Sequence, residues 1–153
     1  SMLLIVGDGK EREFLNSFAS ESIVFVGFTD SILDYYRISD FFISSSLTEG
    51  FPMAVLESMA VGLLPILSDI EPHKEIISET NLPTFEATNA NQLADCINNV
   101  VLNQKKYQET SLTLVELNYT AELMTKKYQE IYLKQINKFN NTAIKKTTNE
   151  KYI

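Results

Sequence analysis

The sequence predicts an α/β fold in which a parallel sheet is covered on both faces by helices. Three observations lead there. Short continuous apolar runs recur at Leu3 to Val6, Ile23 to Val26, Phe41 to Ile43 and Leu64 to Leu67, the pattern of strands buried on both faces. Each run is followed by a turn and then by apolar residues at helical spacing, so that strands and helices alternate. The chain has 153 residues, 44% of them hydrophobic, which suits one domain around a single core.

Each element has its own signal. Gly7-Asp8-Gly9 turns the first strand into a helix marked by Phe14, Leu15 and Phe18. Gly27 stops the second strand, Asp30 or Ser31 caps the next helix, and Ile32, Leu33 and Tyr36 share one face of it. After the strand Asp40 to Ile43, a third helix runs from about Met53 to Val61, with Pro52 near its first turn and Gly62 at its C-cap side. The next strand is Leu64 to Leu67, and Pro65 is most comfortable at the first residue of such a strand. From Pro72 a short helix carries Ile76 and Ile77, and an extended piece follows at Thr84-Phe85. Asn89 then caps a helix striped by Leu93, Cys96, Ile97, Val100 and Val101, with Gln92 as the reciprocal capping-box partner. A long C-terminal helix presents Met124, Tyr128, Ile131, Tyr132, Ile136 and Phe139 on one side, a stripe that should pack on something. The domain therefore spans residues 2–140, and 141–153, which lack a periodic apolar face, read as a polar, disordered tail. Ser1 reads as foreign to the natural start, and the abrupt opening strand predicts that the chain lies inside a larger protein.

Composition excludes several classes of function. Thirteen Lys and Arg against 20 Asp and Glu leave a net charge of −7, which argues against nucleic acid or an anionic membrane as the main partner. A single cysteine, Cys96, and a single histidine, His73, rule out disulfide frameworks, cysteine-rich metal sites and multi-histidine sites. No apolar run approaches the roughly 20 residues that span a bilayer, and the default expectation is a cytoplasmic protein. In a parallel sheet the ligand binds outside the carboxyl ends of the strands. Here those ends are the turns Gly7 to Lys10, Gly27 to Asp30, Ser44 to Pro52 and Ser68 to His73.

The third of these turns carries the chemistry. Ser44 to Glu57 runs from a strand end through a polar loop into a helix. The first N–H groups of a helix lack intrahelical partners and its dipole adds about half a positive charge there, so the Met53 and Ala54 amides can hold a phosphate. Gly50 allows close approach. Glu57 lies about one turn into the helix and its side chain tilts back toward the same point, while Glu49 flanks it from the loop. Acids that touched the phosphate would repel it, so their natural partners are hydroxyl groups such as those of a sugar and a ribose. Together these features describe a nucleotide sugar.

At these residues the chain resembles the C-terminal, donor-binding domain of the retaining GT-B glycosyltransferases of family 4. Leu4-Ile5-Val6-Gly7-Asp8-Gly9, Val24-Phe25-Val26-Gly27-Phe28, Ser39 to Ser46, Glu49-Gly50-Phe51-Pro52 through Glu57-Ser58-Met59-Ala60, and Pro65-Ile66-Leu67-Ser68-Asp69 stand in the family's order, over residues 3 to about 78. The resemblance implies a doubly wound, Rossmann-like sheet and transfer of a hexosyl group, with retention, from a UDP-sugar or GDP-sugar to a glycan or lipid-linked acceptor. It implies no cofactor and no essential metal, and no Asp-x-Asp motif occurs. By motif position Glu49 would act at the donor sugar as the catalytic acidic residue. Gly50 and Phe51 would line the sugar pocket, Met53 and Ala54 would meet the diphosphate, Glu57 would take the ribose diol and Phe28 would border the base, with Pro52 also among the donor-binding residues. In the complete protein the domain would be membrane-peripheral.

The sequence also departs from the family. The strand and helix that normally open the domain, with the Arg and Lys that clamp the diphosphate, have no counterpart, nor does the acceptor-binding N-terminal domain. One oxyanion-type donor is worth about 3 to 4 kcal/mol, so the chain alone is expected to transfer little or no sugar. If the absent strand is central, the sheet has a vacancy, which predicts self-association or marginal stability. Outside the motif, Glu49 and Glu57 would read as solvated acids, Gly7 and Gly9 as turn residues, and Cys96 as core. His73 reads as a cap or surface residue and is left out of catalysis. The alternative to an enzyme part is a non-catalytic nucleotide-binding or interaction domain.

Overall fold

Among the described residues, five short strands, all pairing in parallel, form two separate sheets rather than one. The computed structural model describes the backbone of residues 1–149 and the side chains of 1–107 and 111–139. β1 (Leu3–Val6), α1 (Arg12–Leu15), β2 (Ile23–Gly27) and α2 (Ile32–Arg37) come first. β3 (Phe41–Ser44), α3 (Met53–Ala60), β4 (Leu64–Ser68), α4 (Glu71–Ile76) and β5 (Thr84–Phe85) follow, then α5 (Ala90–Leu102), α6 (Gln104–Asn118) and α7 (Ala121–Asn149). One sheet has the order β1-β2 and the other β3-β4-β5. The alternation of apolar runs and helices thus yields the expected α/β fold.

β4 is the centre of the core. It pairs with β3 from Phe41↔Leu64 to Ser44↔Leu67 and with β5 through Leu67↔Thr84 and Ser68↔Phe85. Every residue of β4 is buried, and Val55, Met59, Ile76, Phe85 and Val100 from four other elements pack around it. Pro65 stands at the second position of β4, not at its first. Leu64 N–H donates to the Asp40 carbonyl, so alternate nitrogens face β3 and the Pro65 nitrogen faces the β5 side. Pairing with β5 begins only at Leu67, so the missing N–H removes no ladder bond.

The two sheets fit a single pattern with one member absent. If each strand number is raised by one, the orders β2-β1 and β3-β4-β5 become 3-2 and 4-5-6, the doubly wound order without its strand 1. Leu3 and Gly7 donate toward β2, to Ser22 and Gly27, so the Leu4 and Val6 amides point to the unpaired edge. By the same parity the Phe41 and Ile43 amides point away from β4. No residue of β1 or β2 belongs to the core cluster, and Leu3, Phe14, Phe18 and Val24 are exposed. The β1-β2 unit is tied locally instead. Gly27 has φ 87°, and a Cβ there would lie 2.8 Å from Arg12 Nη1, whose guanidinium also pairs with Asp8 at 2.8 Å.

The helical half agrees with the sequence in some places and departs from it in others. Asn89 Oδ1 accepts from Gln92 N–H at 3.1 Å, as a cap should. Gln92 does not reciprocate: its Oε1 accepts from Glu86 N–H at 2.8 Å, tying α5 to the chain after β5. Cys96 is buried, its Sγ donating to the Pro83 carbonyl at 3.3 Å, and burial pushes the thiol up. α6 has no counterpart in the sequence reading. It buries Tyr107, Leu114 and Val115, but the position between them on that face is Ser111, also buried, and a hydroxyl there interrupts the apolar stripe. The stripe of α7 is present but unpacked, with Met124, Tyr128, Ile131, Tyr132, Ile136 and Phe139 all more than half exposed. The Tyr128 and Tyr132 rings lie 6.3 Å apart, tilted to each other. α7 runs to Asn149, into the segment 141–153 that reads from the sequence as a polar tail. Propagation adds one bond per residue and needs no apolar face of its own. The rest of that tail, 150–153, lies outside the described residues.

Because both inner edges are open, the Leu4, Val6, Phe41 and Ile43 amides should exchange with solvent far faster than that of Ile66 in β4. Residue-resolved hydrogen exchange on a dilute sample checks this, and protection equal to that of Ile66 would mean that the edges are paired.

Candidate functional site

α3 is placed by its buried face and by both of its ends. Val55, Leu56, Ser58 and Met59 are buried against β4 and α6. At the C-terminus Gly62, with φ 91°, donates to Met59 and Leu63 donates to Ser58, both at 3.0 Å. These are the two bonds of a Schellman ending, which a glycine at this position permits. Pro52 stands at the N-cap with φ −79° and is buried, while Phe51, Met53, Ala54 and Glu57 around it are exposed. The start of the helix therefore opens to solvent rather than against packed protein.

The first amides of α3 are not equivalent. Met53 N–H turns back on the Phe51 carbonyl at 2.9 Å, and Val55 and Leu56 donate to Pro52 at 3.1 and 3.3 Å. Ala54 N–H has no acceptor among the described residues. Of the two amides assigned to a phosphate from the sequence, Ala54 is uncommitted and Met53 is bound internally. A Cβ on Gly50 would meet nothing within 4 Å, so the protein's own packing does not demand the small residue there.

The two acids are held differently. Glu49 is half-buried, and its Oε1 accepts from Ser46 Oγ at 2.7 Å, while Ser44 Oγ lies 3.3 Å from the same hydroxyl. Glu57 is exposed, one turn into α3, beside Tyr36 of α2. The Tyr36 hydroxyl donates to the Ala54 carbonyl at 3.5 Å and its ring meets Phe42 edge-on at 5.9 Å. Burial, and then the Glu57 charge, hold the Tyr36 phenol above its ordinary value. Phe51 faces Tyr119, with ring centroids 6.4 Å apart. The Tyr119 phenol is raised too, by burial and then by Glu75 and Glu79. Phe28 has no hydrogen bond or ring contact with this group among the described residues. It is 76% exposed beyond β2, in the sheet that carries none of the others.

His73 is neither a cap nor a surface residue. It is fully buried in α4, with Nδ1 3.0 Å from the Ser68 carbonyl and 3.1 Å from Ser68 Oγ. Ser68 Oγ in turn donates to the Ser46 carbonyl at 2.7 Å. Tyr36, Ser68, Tyr119 and His73 thus surround residues picked from the sequence without having been assigned to the site. For Tyr36 the only sequence signal was its place on a helical face, and the contact with α3 spans 18 positions.

Comparisons with known proteins identify the family and the fold. Residues 1–112 match the family of glycosyl transferases group 1. The chain is 28% identical over 134 residues to the O-antigen biosynthesis glycosyltransferase WclY of Escherichia coli, covering 84% of this chain and 38% of that protein. It is 29% identical over 123 residues to the N,N'-diacetylbacillosaminyl-diphospho-undecaprenol alpha-1,3-N-acetylgalactosaminyltransferase of Campylobacter jejuni, covering 78% of this chain and 32% of that one. The crystal structure of Anabaena Alr3699/HepE in complex with UDP superposes with a TM-score of 0.75 at 16% identity, over 87% of this chain and 41% of that one. The chain thus spans about two fifths or less of the length of these proteins.

Replacing Glu57 by Gln removes the second cause of the Tyr36 shift, so in Glu57→Gln the phenol should titrate at lower pH than in the wild type. Phenolate absorbance, referenced to Tyr36→Phe, measures this. A raised phenol stabilises the fold fully below its unfolded value of about 10 and loses that contribution as pH climbs through the folded value. Alkaline denaturation should therefore be shallower in Glu57→Gln.

Proposed function

The chain belongs to the group 1 glycosyl transferases, and on that footing we propose that it is the donor-binding part of an enzyme that moves a hexosyl group from a nucleoside diphosphate sugar to a glycan or lipid-linked acceptor. One observation carries this reading: an uncommitted Ala54 N–H at the solvent-open start of α3, with Glu49 braced in the loop before it and Glu57 one turn beyond. A helix start favours an anion, and the acids favour hydroxyl groups. On this reading Ala54 N–H and the α3 dipole receive the diphosphate, Glu49 accepts from the donor sugar, Glu57 takes the ribose diol, and Gly50, Phe51 and Pro52 form the wall near the sugar. Phe28, exposed beyond β2, would border the base.

The chemistry asked of such a site is electrostatic. As the glycosidic bond breaks, negative charge grows on the leaving diphosphate, and a preoriented amide with a helix dipole is in place to receive it without reorganising. The acceptor attacks on the face that the diphosphate leaves, with retention. UDP or GDP is the nucleotide, a choice supported by the UDP named in the HepE complex. A polyprenyl-diphosphate-linked acceptor is supported by the name of the Campylobacter relative, and a cytoplasmic, membrane-peripheral place for the complete protein is part of the proposal. No helix among the described residues is long and apolar enough to cross a membrane. The chain spans only part of its relatives, so the acceptor would be held by polypeptide outside residues 1–153, and transfer by the chain alone should be slight.

Isothermal titration with UDP and GDP tests the reading. One nucleotide should bind saturably, and Glu57→Ala should weaken it about 10- to 100-fold, the worth of hydrogen bonds to a charged group. Absence of binding to either nucleotide would overturn it. Binding without transfer, once an acceptor domain from a relative is supplied, would favour a non-catalytic nucleotide-binding module.

A further inference from the structure

We propose that Ser68 and His73 are positioning residues for Glu49, which they hold through Ser46; the inference rests on the reading of Glu49 as the acid that meets the donor sugar. The chain of contacts is continuous. Glu49 Oε1 accepts from Ser46 Oγ at 2.7 Å, the Ser46 carbonyl accepts from Ser68 Oγ at 2.7 Å, and Ser68 Oγ lies 3.1 Å from His73 Nδ1.

The donors and acceptors assign themselves. The Ser68 carbonyl, 3.0 Å from Nδ1, can only accept, so Nδ1 carries the proton. The one hydroxyl hydrogen of Ser68 goes to Ser46, which leaves Ser68 Oγ to accept from the same Nδ1–H. His73 therefore dictates which way the Ser68 hydroxyl points, and Ser68 fixes the Ser46 backbone. Ser46 is then held at its carbonyl while its own hydroxyl reaches Glu49.

Burial gives this chain its direction. Ser68 and His73 have no exposed surface, whereas Ser46 and Glu49 are half-buried and Leu47 and Thr48 between them are exposed. An acid on such a loop would sample many positions, and the buried end of β4 restricts it to one. His73 Nε2 is buried with no partner among the described residues, so the ring is not held in place by a second hydrogen bond. The imidazole gives its Nδ1–H to Ser68, and burying the opposite nitrogen unpaired is a cost that a purely apolar filler would not carry. Held in this way, Glu49 would distinguish a nucleotide that bears a sugar from a bare one.

Binding of UDP against UDP-glucose, and of GDP against GDP-mannose, measures that distinction in the full chain, with 15N relaxation of the Ser46 to Glu49 amides as a readout that needs no ligand. In Ser68→Ala and His73→Leu those amides should become mobile, and the extra affinity for the sugar-bearing form should fall about three- to tenfold while affinity for the bare nucleotide holds. His73→Asn, which keeps a donor at the Nδ1 position, should recover part of what His73→Leu loses. A merely structural role would weaken both nucleotides together, and that result overturns the proposal, as does an unchanged loop in both variants. If the wild type binds no nucleotide, the donor reading falls and the sugar role of Glu49 with it. If Glu49→Gln loses the sugar preference and Ser68→Ala does not, the donor reading stands and this proposal alone fails.

Discussion

β4 carries more of this molecule than any other element. It pairs on both sides, and none of its residues reaches the surface. A strand in that position cannot shift by a single residue without exchanging its two faces. Whatever is attached to it is located by it. α3 lies along it through Val55 and Met59, and its last residue, Ser68, bonds across to the loop that holds Glu49. The exposed helix start and the two acids are thus surface features with buried foundations, which is how a loop acid becomes a defined one.

The opposite holds for β1 and β2. Their residues are those of a buried parallel sheet, yet they contribute nothing to the core cluster, and the sheet is interrupted between β1 and β3. Parallel strands are stable when both faces and both neighbours are supplied, and here one neighbour is wanting. The uncovered stripe of α7 belongs to the same account. A chain that matches about two fifths of its relatives' length leaves apolar residues of its N-terminal strands and of its last helix exposed among the described residues.

Much of this was legible in the sequence, because local chemistry decides it. The strands announce themselves as apolar runs, Gly62 ends α3 and Asn89 caps α5 for reasons contained within a few residues. The acids of the loop and of α3 were picked out by their place on either side of a helix start and by the resemblance of the motif around them; outside it each reads as a solvated acid. What escaped depends on contacts across the chain. Ser111 sits in the seam of α6 as a polar residue, and only the packed helix shows that its position is interior. A lone histidine near a helix start has no local mark of burial, and the bond that orients His73 depends on the fold of β4. The Met53 amide was expected free because helix starts usually are, but the Phe51 carbonyl of its own turn claims it.

The single thiol of the chain has a use that its chemistry does not advertise. Cys96 is buried on α5 and bonded to the Pro83 carbonyl, beside the strand that completes the β4 sheet. A sulfur so placed reacts with an alkylating reagent only when that corner opens. The protein therefore contains a clock for the breathing of its well-packed half, silent to whatever the loosely held strands at the other end are doing.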